Sequence, residues 1–109
     1  YLHLEAPDEC GHRGEAEIKV RAIEEIDRRD LAPLVEALVG MGDFRLMVLP
    51  DHPTPLTIRT HTADPVAYLL YAGDGSLGPG VPRFTENAAR GTGRHTEEGR
   101  TLVCRLFGR

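Results

Sequence analysis

Phe44-Arg45-Leu46-Met47-Val48-Leu49-Pro50-Asp51-His52-Pro53-Thr54-Pro55 is the stretch on which the fold turns. The near-continuous apolar run Phe44–Leu49, closed by Pro50, predicts a strand buried on both faces, as in the sheets of α/β proteins. It empties directly into an acid and an imidazole set between prolines. In an open α/β sheet, ligands bind beyond the carboxyl ends of the strands. A second histidine follows in Arg59-Thr60-His61-Thr62, and a further acid–imidazole pair lies upstream in Pro7-Asp8-Glu9-Cys10-Gly11-His12.

Working outward, Tyr1 to Ala6 predicts a short strand ended by Pro7. From Glu15, Ile18, Ala22, Ile23 and Ile26 recur at helical spacing, with Glu17, Lys19, Arg21, Glu24 and Glu25 on the other face. Asp30 reads as the N-cap of a second helix reaching Leu38 or Val39, with Pro33 in its first turn and Gly40 and Gly42 beyond its end. Leu56 to Arg59 reads as a short extended piece and Val66 to Tyr71 as another strand. Gly73 to Pro82 is a loop. Thr96 is placed to cap a last helix carrying Leu102, Val103, Leu106 and Phe107. This order gives an α/β class: an open sheet with flanking helices. Both acid–imidazole pairs then follow strands and face one edge of that sheet.

With 109 residues, the chain is at most one domain. A formal net charge of −4 lacks the basic stripe that nucleic-acid binding requires. No apolar run approaches the ~20 residues of a membrane span. Cys10 and Cys104 are expected as free thiols of a cytoplasmic protein, a disulfide between them being the other reading. The chain opens on the apolar alternation Tyr1-Leu2-His3-Leu4. The expectation drawn from this is a strand cut from a larger protein, with residues 1–109 its C-terminal, metal-binding portion.

Three imidazoles (His12, His52, His61) and two carboxylates (Asp8, Asp51) form the ligand inventory of a two-metal site acting on phosphate esters. Imidazole suits zinc and manganese, and carboxylate neutralises a divalent charge. Each piece has an ordinary reading as well. Asp8 and His12, four apart, fit one helix face, but Pro7 and Gly11 favour a loop. Asp51-His52 also suits a plain turn, and His61 a solvated strand. Cys10 is either a further ligand or a spectator. Asp64, before Pro65, either orients a histidine or caps a turn. Arg59 meets a substrate phosphate or is simply exposed. Thr54 stands with Cys10, Arg59 and Asp64 as a support for the ligands or the substrate. His3 and His95 read as exposed. The only serine, Ser76, lies in the glycine- and proline-rich loop and makes a poor nucleophile.

Glu5 to His12 (EAPDECGH), Lys19 to Asp27 (KVRAIEEID), Leu49 to Pro65 (LPDHPTPLTIRTHTADP) and Phe84 to Ala89 (FTENAA) together resemble the C-terminal part of the cofactor-independent phosphoglycerate mutases. The resemblance is to the archaeal-type branch, within the alkaline phosphatase superfamily, and runs nearly end to end. It implies that Asp8, His12 and His61 hold one divalent metal ion, and that Asp51 and His52 help hold a second, manganese or zinc. A nucleophilic serine and a further aspartate are then expected from an N-terminal remainder absent here. The implied activity is glycolytic interconversion of 2- and 3-phosphoglycerate through a phosphoserine, with the isolated piece inactive. The alternatives are another phosphohydrolase or phosphotransferase of the superfamily, or a non-catalytic metal-binding module.

Overall fold

Pro7 and Gly14 mark the two ends of the first helix. Helix α1 spans Ala6–Arg13 in a computed structural model that describes residues 1–108. Proline is tolerated in the first turn, where its missing N–H has no helical partner. Asp8 and Glu9 sit near the positive end of the helix dipole, and His12 and Arg13 near the negative end. Gly14, at φ +72°, closes the helix and donates its amide to the carbonyls of Cys10 and Gly11. The expected strand Tyr1–Ala6 does not form. Tyr1 to Glu5 carry no regular structure, because four alternating residues without a ladder partner gain nothing over coil.

Helix α2, Ala16–Ile26, lies where the periodicity put it, although Ile18 and Ile23 stay about half exposed. The expected helix start with Asp30 as N-cap does not occur. A π-helical turn, Asp27–Leu31, runs on into α3, Ala32–Met41, and Ala32 donates its amide to the Asp27 carbonyl five residues back. Pro33 supplies the reason. Its ring clashes with, and cannot donate to, a carbonyl of the preceding turn, and a widened turn absorbs the mismatch without ending the helix. Glu25 binds both Arg28 and Arg29 across this turn.

Two compact units result: Tyr1–Ala37 with Asp51–Pro65, and Leu38–Pro50 with the residues from Val66 on. In the second, β1 (Arg45–Val48) pairs antiparallel with β2 (Leu69–Ala72), Arg45 opposite Ala72 and Val48 opposite Leu69. The strand expected to be buried on both faces is instead half-buried, because among the described residues this sheet has two strands and leaves each with one neighbour. The Phe44 and Tyr71 rings meet at 5.6 Å, and a Cβ on Gly73 would lie 2.7 Å from the Phe44 ring. Ala72 and Leu102 are buried in this unit.

Helix α4, Glu86–Gly91, is capped by Thr85, whose hydroxyl accepts from the Ala88 amide at 3.1 Å. The last helix, α5 (Leu102–Leu106), follows a 3-10 turn, Gly99–Thr101. Thr96 does not cap it, and its hydroxyl lies 3.3 Å from that of Tyr68 instead. Helices and a small antiparallel sheet together are consistent with the α/β class. Among the described residues, no helix is long and apolar enough to cross a membrane.

Candidate metal centre

The first unit brings α1 against the loop Asp51–Pro65. Asp8 and His12 are one turn apart on α1, so both project from one face. The helix wins over the loop reading because Pro7 and Gly11 are both compatible with it. Gly11 is buried, and a Cβ there would come within 2.7 Å of the Thr54 carbonyl and 2.8 Å of its methyl. The missing side chain is what lets the loop lie on the helix. Lys19 of α2 clamps the contact by donating to the same carbonyl at 2.9 Å.

The loop itself is not the extended piece expected at Leu56–Arg59. The Arg59 amide donates to the Pro55 carbonyl at 2.9 Å, closing one helical turn, and Arg59 then adopts φ +55°. It is the only described non-glycine residue at positive φ. Such a conformation costs an L-residue about 1–2 kcal/mol. The Thr62 amide, bonded to the Pro53 carbonyl at 3.2 Å, ties the return of the loop and carries His61 back toward α1.

At the junction, His12 Nε2 lies 3.1 Å from His61 Nε2 and 3.3 Å from Asp8 Oδ2, and His61 Nε2 lies 3.4 Å from Asp8 Oδ1. His52 joins them. Its ring stacks on that of His61 at 3.6 Å, and Asp8, His52 and His61 each offer a ligand atom within 4.8 Å of the others. The Thr54 hydroxyl, buried, donates to Asp8 Oδ1 and lies 3.4 Å from His52 Nδ1. Asp51 stands at the rim, exposed, with Oδ2 3.4 Å from His52 Nε2 and Oδ1 accepting from the His52 amide.

The Arg59 carbonyl can only accept, so His12 Nδ1, 3.0 Å away, must be the donor. In a neutral imidazole this leaves Nε2 with a bare lone pair, directed at Asp8 and His61. The Thr54 hydrogen bond, the foremost cause, and the nearby imidazoles hold the Asp8 carboxyl below its ordinary value against the opposing effect of burial. Asp8 is therefore an acceptor near neutral pH. His12 Nε2, His61 Nε2 and the two Asp8 oxygens, 3.1–3.4 Å apart in these pairs, suit a positive charge among them, whether a shared proton or a cation. Ligands ~2.05 Å from a tetrahedral ion stand ~3.3 Å apart, so these separations are compatible with a divalent cation.

The remaining candidates fall outside this group. Cys10 is buried and unpaired in α1, and is not among the converging atoms. Asp64 is exposed, with neither a hydrogen bond nor an ion pair among the described residues. His3 and His95 are exposed. Ser76 belongs to the second unit, where its amide donates to Asp74 in a turn. Gly11 and Lys19 escaped sequence reasoning. A small residue one position before His12 was the only available signal for the first, and nothing local marked the second.

Comparison with known proteins bears on the same residues. Residues 1–93 match the model of the metalloenzyme superfamily. The whole chain is 42% identical to a probable 2,3-bisphosphoglycerate-independent phosphoglycerate mutase of Geobacter sulfurreducens, covering 27% of that protein. It is 45% identical over 98% of its length to the 2,3-bisphosphoglycerate-independent phosphoglycerate mutase of Methanothrix thermoacetophila, again 27% of the relative. With the second such mutase of Methanothermobacter thermautotrophicus it shares 50% over 94% of its length, covering 25%. The chain thus spans about a quarter of the length of these relatives. No solved structure matches.

Proposed function

Since this chain belongs to the metalloenzyme superfamily, we propose that it supplies most of the divalent-cation ligands of a cofactor-independent phosphoglycerate mutase, an isomerase interconverting 2- and 3-phosphoglycerate. The observation that carries this reading is the convergence of Asp8, His12 and His61, whose ring nitrogens and carboxylate oxygens lie 3.1–3.4 Å apart, with His52 beside them. Asp8, His12 and His61 hold one ion. His52 and the exposed Asp51 contribute to a second, manganese or zinc in each case. The relatives' names and the alkaline-phosphatase-like α/β character of the fragment support the substrate and reaction class.

When bound, such a pair of ions screens the phosphate charge and activates an oxygen nucleophile. The residues of this chain prepare that site. Thr54 keeps Asp8 ionised and oriented by donating to one of its oxygens. The Arg59 carbonyl holds the His12 ring with Nε2 inward. Lys19 and the bare Gly11 seat the loop that carries His52, Thr54 and His61. Buried Thr54 has its proton committed to Asp8, so it does not act as the nucleophile. That role falls to a serine on a further part of the polypeptide, residues 1–109 being the C-terminal portion of the protein. The free Cys10 and Cys104 suit a cytoplasmic setting.

The test is an assay of the complete polypeptide, with added manganese or zinc, for 2-/3-phosphoglycerate interconversion alongside release of inorganic phosphate. Interconversion that a chelator abolishes is the expected result. Phosphate release alone would move the protein to the phosphohydrolases. Neither activity, together with no metal bound, would overturn the reading.

A further inference from the structure

We infer that Arg59 is a positioning residue, acting through its left-handed backbone rather than its guanidinium to fix the tautomer of His12. The inference rests on the metal-binding reading of the preceding section and assigns a task to a residue whose charge invites a different one. The turn Pro55–Arg59 is a single helical turn that is not continued, and it ends in a residue at φ +55°. That is where a helix terminus ordinarily places glycine or asparagine, because a Cβ crowds the following carbonyl. An arginine there is strained unless its surroundings hold it.

What the strain achieves is visible one bond further on. In the left-handed region the Arg59 carbonyl is turned toward α1 and accepts from His12 Nδ1 at 3.0 Å. Moving residue 59 to the extended region would rotate the 59–60 peptide and carry this acceptor away. His12 would then be free to place its proton on Nε2, the atom that faces Asp8 and His61. A protonated Nε2 cannot ligate a metal. A ligating histidine is commonly held through its other nitrogen in this way, and the partner group controls affinity.

The side chain itself offers no comparable anchor. It folds back over Gly14, where a Cβ would lie 2.7 Å from the arginine Nε. Among the described residues it makes no hydrogen bond or ion pair. Backbone and side-chain roles therefore separate cleanly by substitution.

Arg59→Gly and Arg59→Asn keep the left-handed conformation and delete the guanidinium, whereas Arg59→Val opposes the conformation. Zinc affinity of the complete polypeptide, measured by competition with a chelator, should stay within about 2-fold for Gly and Asn and fall about 10-fold or more for Val. Nitrogen NMR of selectively labelled, metal-free protein should show the His12 proton on Nδ1 in all but Arg59→Val. Equal losses in Gly, Asn and Val would overturn the inference in favour of the guanidinium. An Arg59→Val protein with parental affinity and an unchanged tautomer would also overturn it. Should Arg59→Val fail to fold, parental affinity and tautomer in Gly and Asn support the backbone role, and their loss refutes it. A parent that binds no zinc refutes the metal reading instead, while the tautomer measurement still decides the role of Arg59.

Discussion

Replacing Thr54 by valine is the most discriminating single change to this site. The two side chains have nearly the same shape, so the packing of a residue only 5% exposed is preserved. The substitution removes one thing, the hydroxyl that donates to Asp8 Oδ1. A hydrogen bond to a charged group contributes about 1.5–3 kcal/mol. The Asp8 side chain is 34% exposed, and water takes up part of the loss, so the lower end, about 1.5 kcal/mol, is expected. The pH dependence supplies the sharper signature. The folded-state pKa of Asp8 is depressed, with the Thr54 hydrogen bond as its leading cause. A depressed carboxyl stabilises the fold above its unfolded-state value, and this contribution fades as pH falls through the folded-state value. The difference in urea-unfolding free energy between parent and Thr54→Val should thus be full at about pH 7 and small at about pH 2. Carbon NMR of the Asp8 carboxyl in metal-free protein should show its titration shifted upward in the variant. A stability difference that is the same at both pH values would mean that packing, not the charged hydrogen bond, was lost, and would refute the argument.

Gly11→Ala should destabilise the protein to urea by about 1–3 kcal/mol despite the better helix propensity of alanine, because its Cβ meets the Thr54 backbone; a more stable variant would refute the close-packing account. His12→Gln should weaken zinc binding by at least about 10-fold in calorimetry, whereas Asp64→Asn should leave it unchanged, Asp64 lying outside the cluster. Lys19→Met should cost about 1 kcal/mol of stability and increase hydrogen exchange in the 51–55 loop, since the loop loses the ammonium that holds the Thr54 carbonyl. Thr85→Ala should cost about 1 kcal/mol, read as faster amide exchange confined to Glu86–Gly91.

The candidate donors were legible in the sequence because residue types of this kind are costly to assemble without use. Asp8, His12, His52 and His61 stood out as oxygen and nitrogen donors, and α2 stood out because an amphipathic period is a local property of the chain. The elements that failed to appear depend on partners that local sequence cannot display. Tyr1–Ala6 alternates correctly but has no ladder partner among the described residues. Phe44–Leu49 is apolar enough for a central strand, yet here it meets a single neighbour, β2. Asp30 had the chemistry of a cap, and Pro33 that of a first-turn residue, but a widened turn carried the helix through both.

The sequence by itself thus picked out the candidate donors and the amphipathic helix α2, since both follow from side-chain chemistry and short-range spacing. Only tertiary structure decided that Asp8 and His61, more than fifty positions apart in the chain, would stand 3.4 Å from one another. That meeting needs a glycine to let a loop lie against a helix and a lysine to hold it there. It also needs an arginine backbone in a strained region to turn one imidazole inward. Each is a contact between segments remote in sequence, and its energy exists only once the chain has folded.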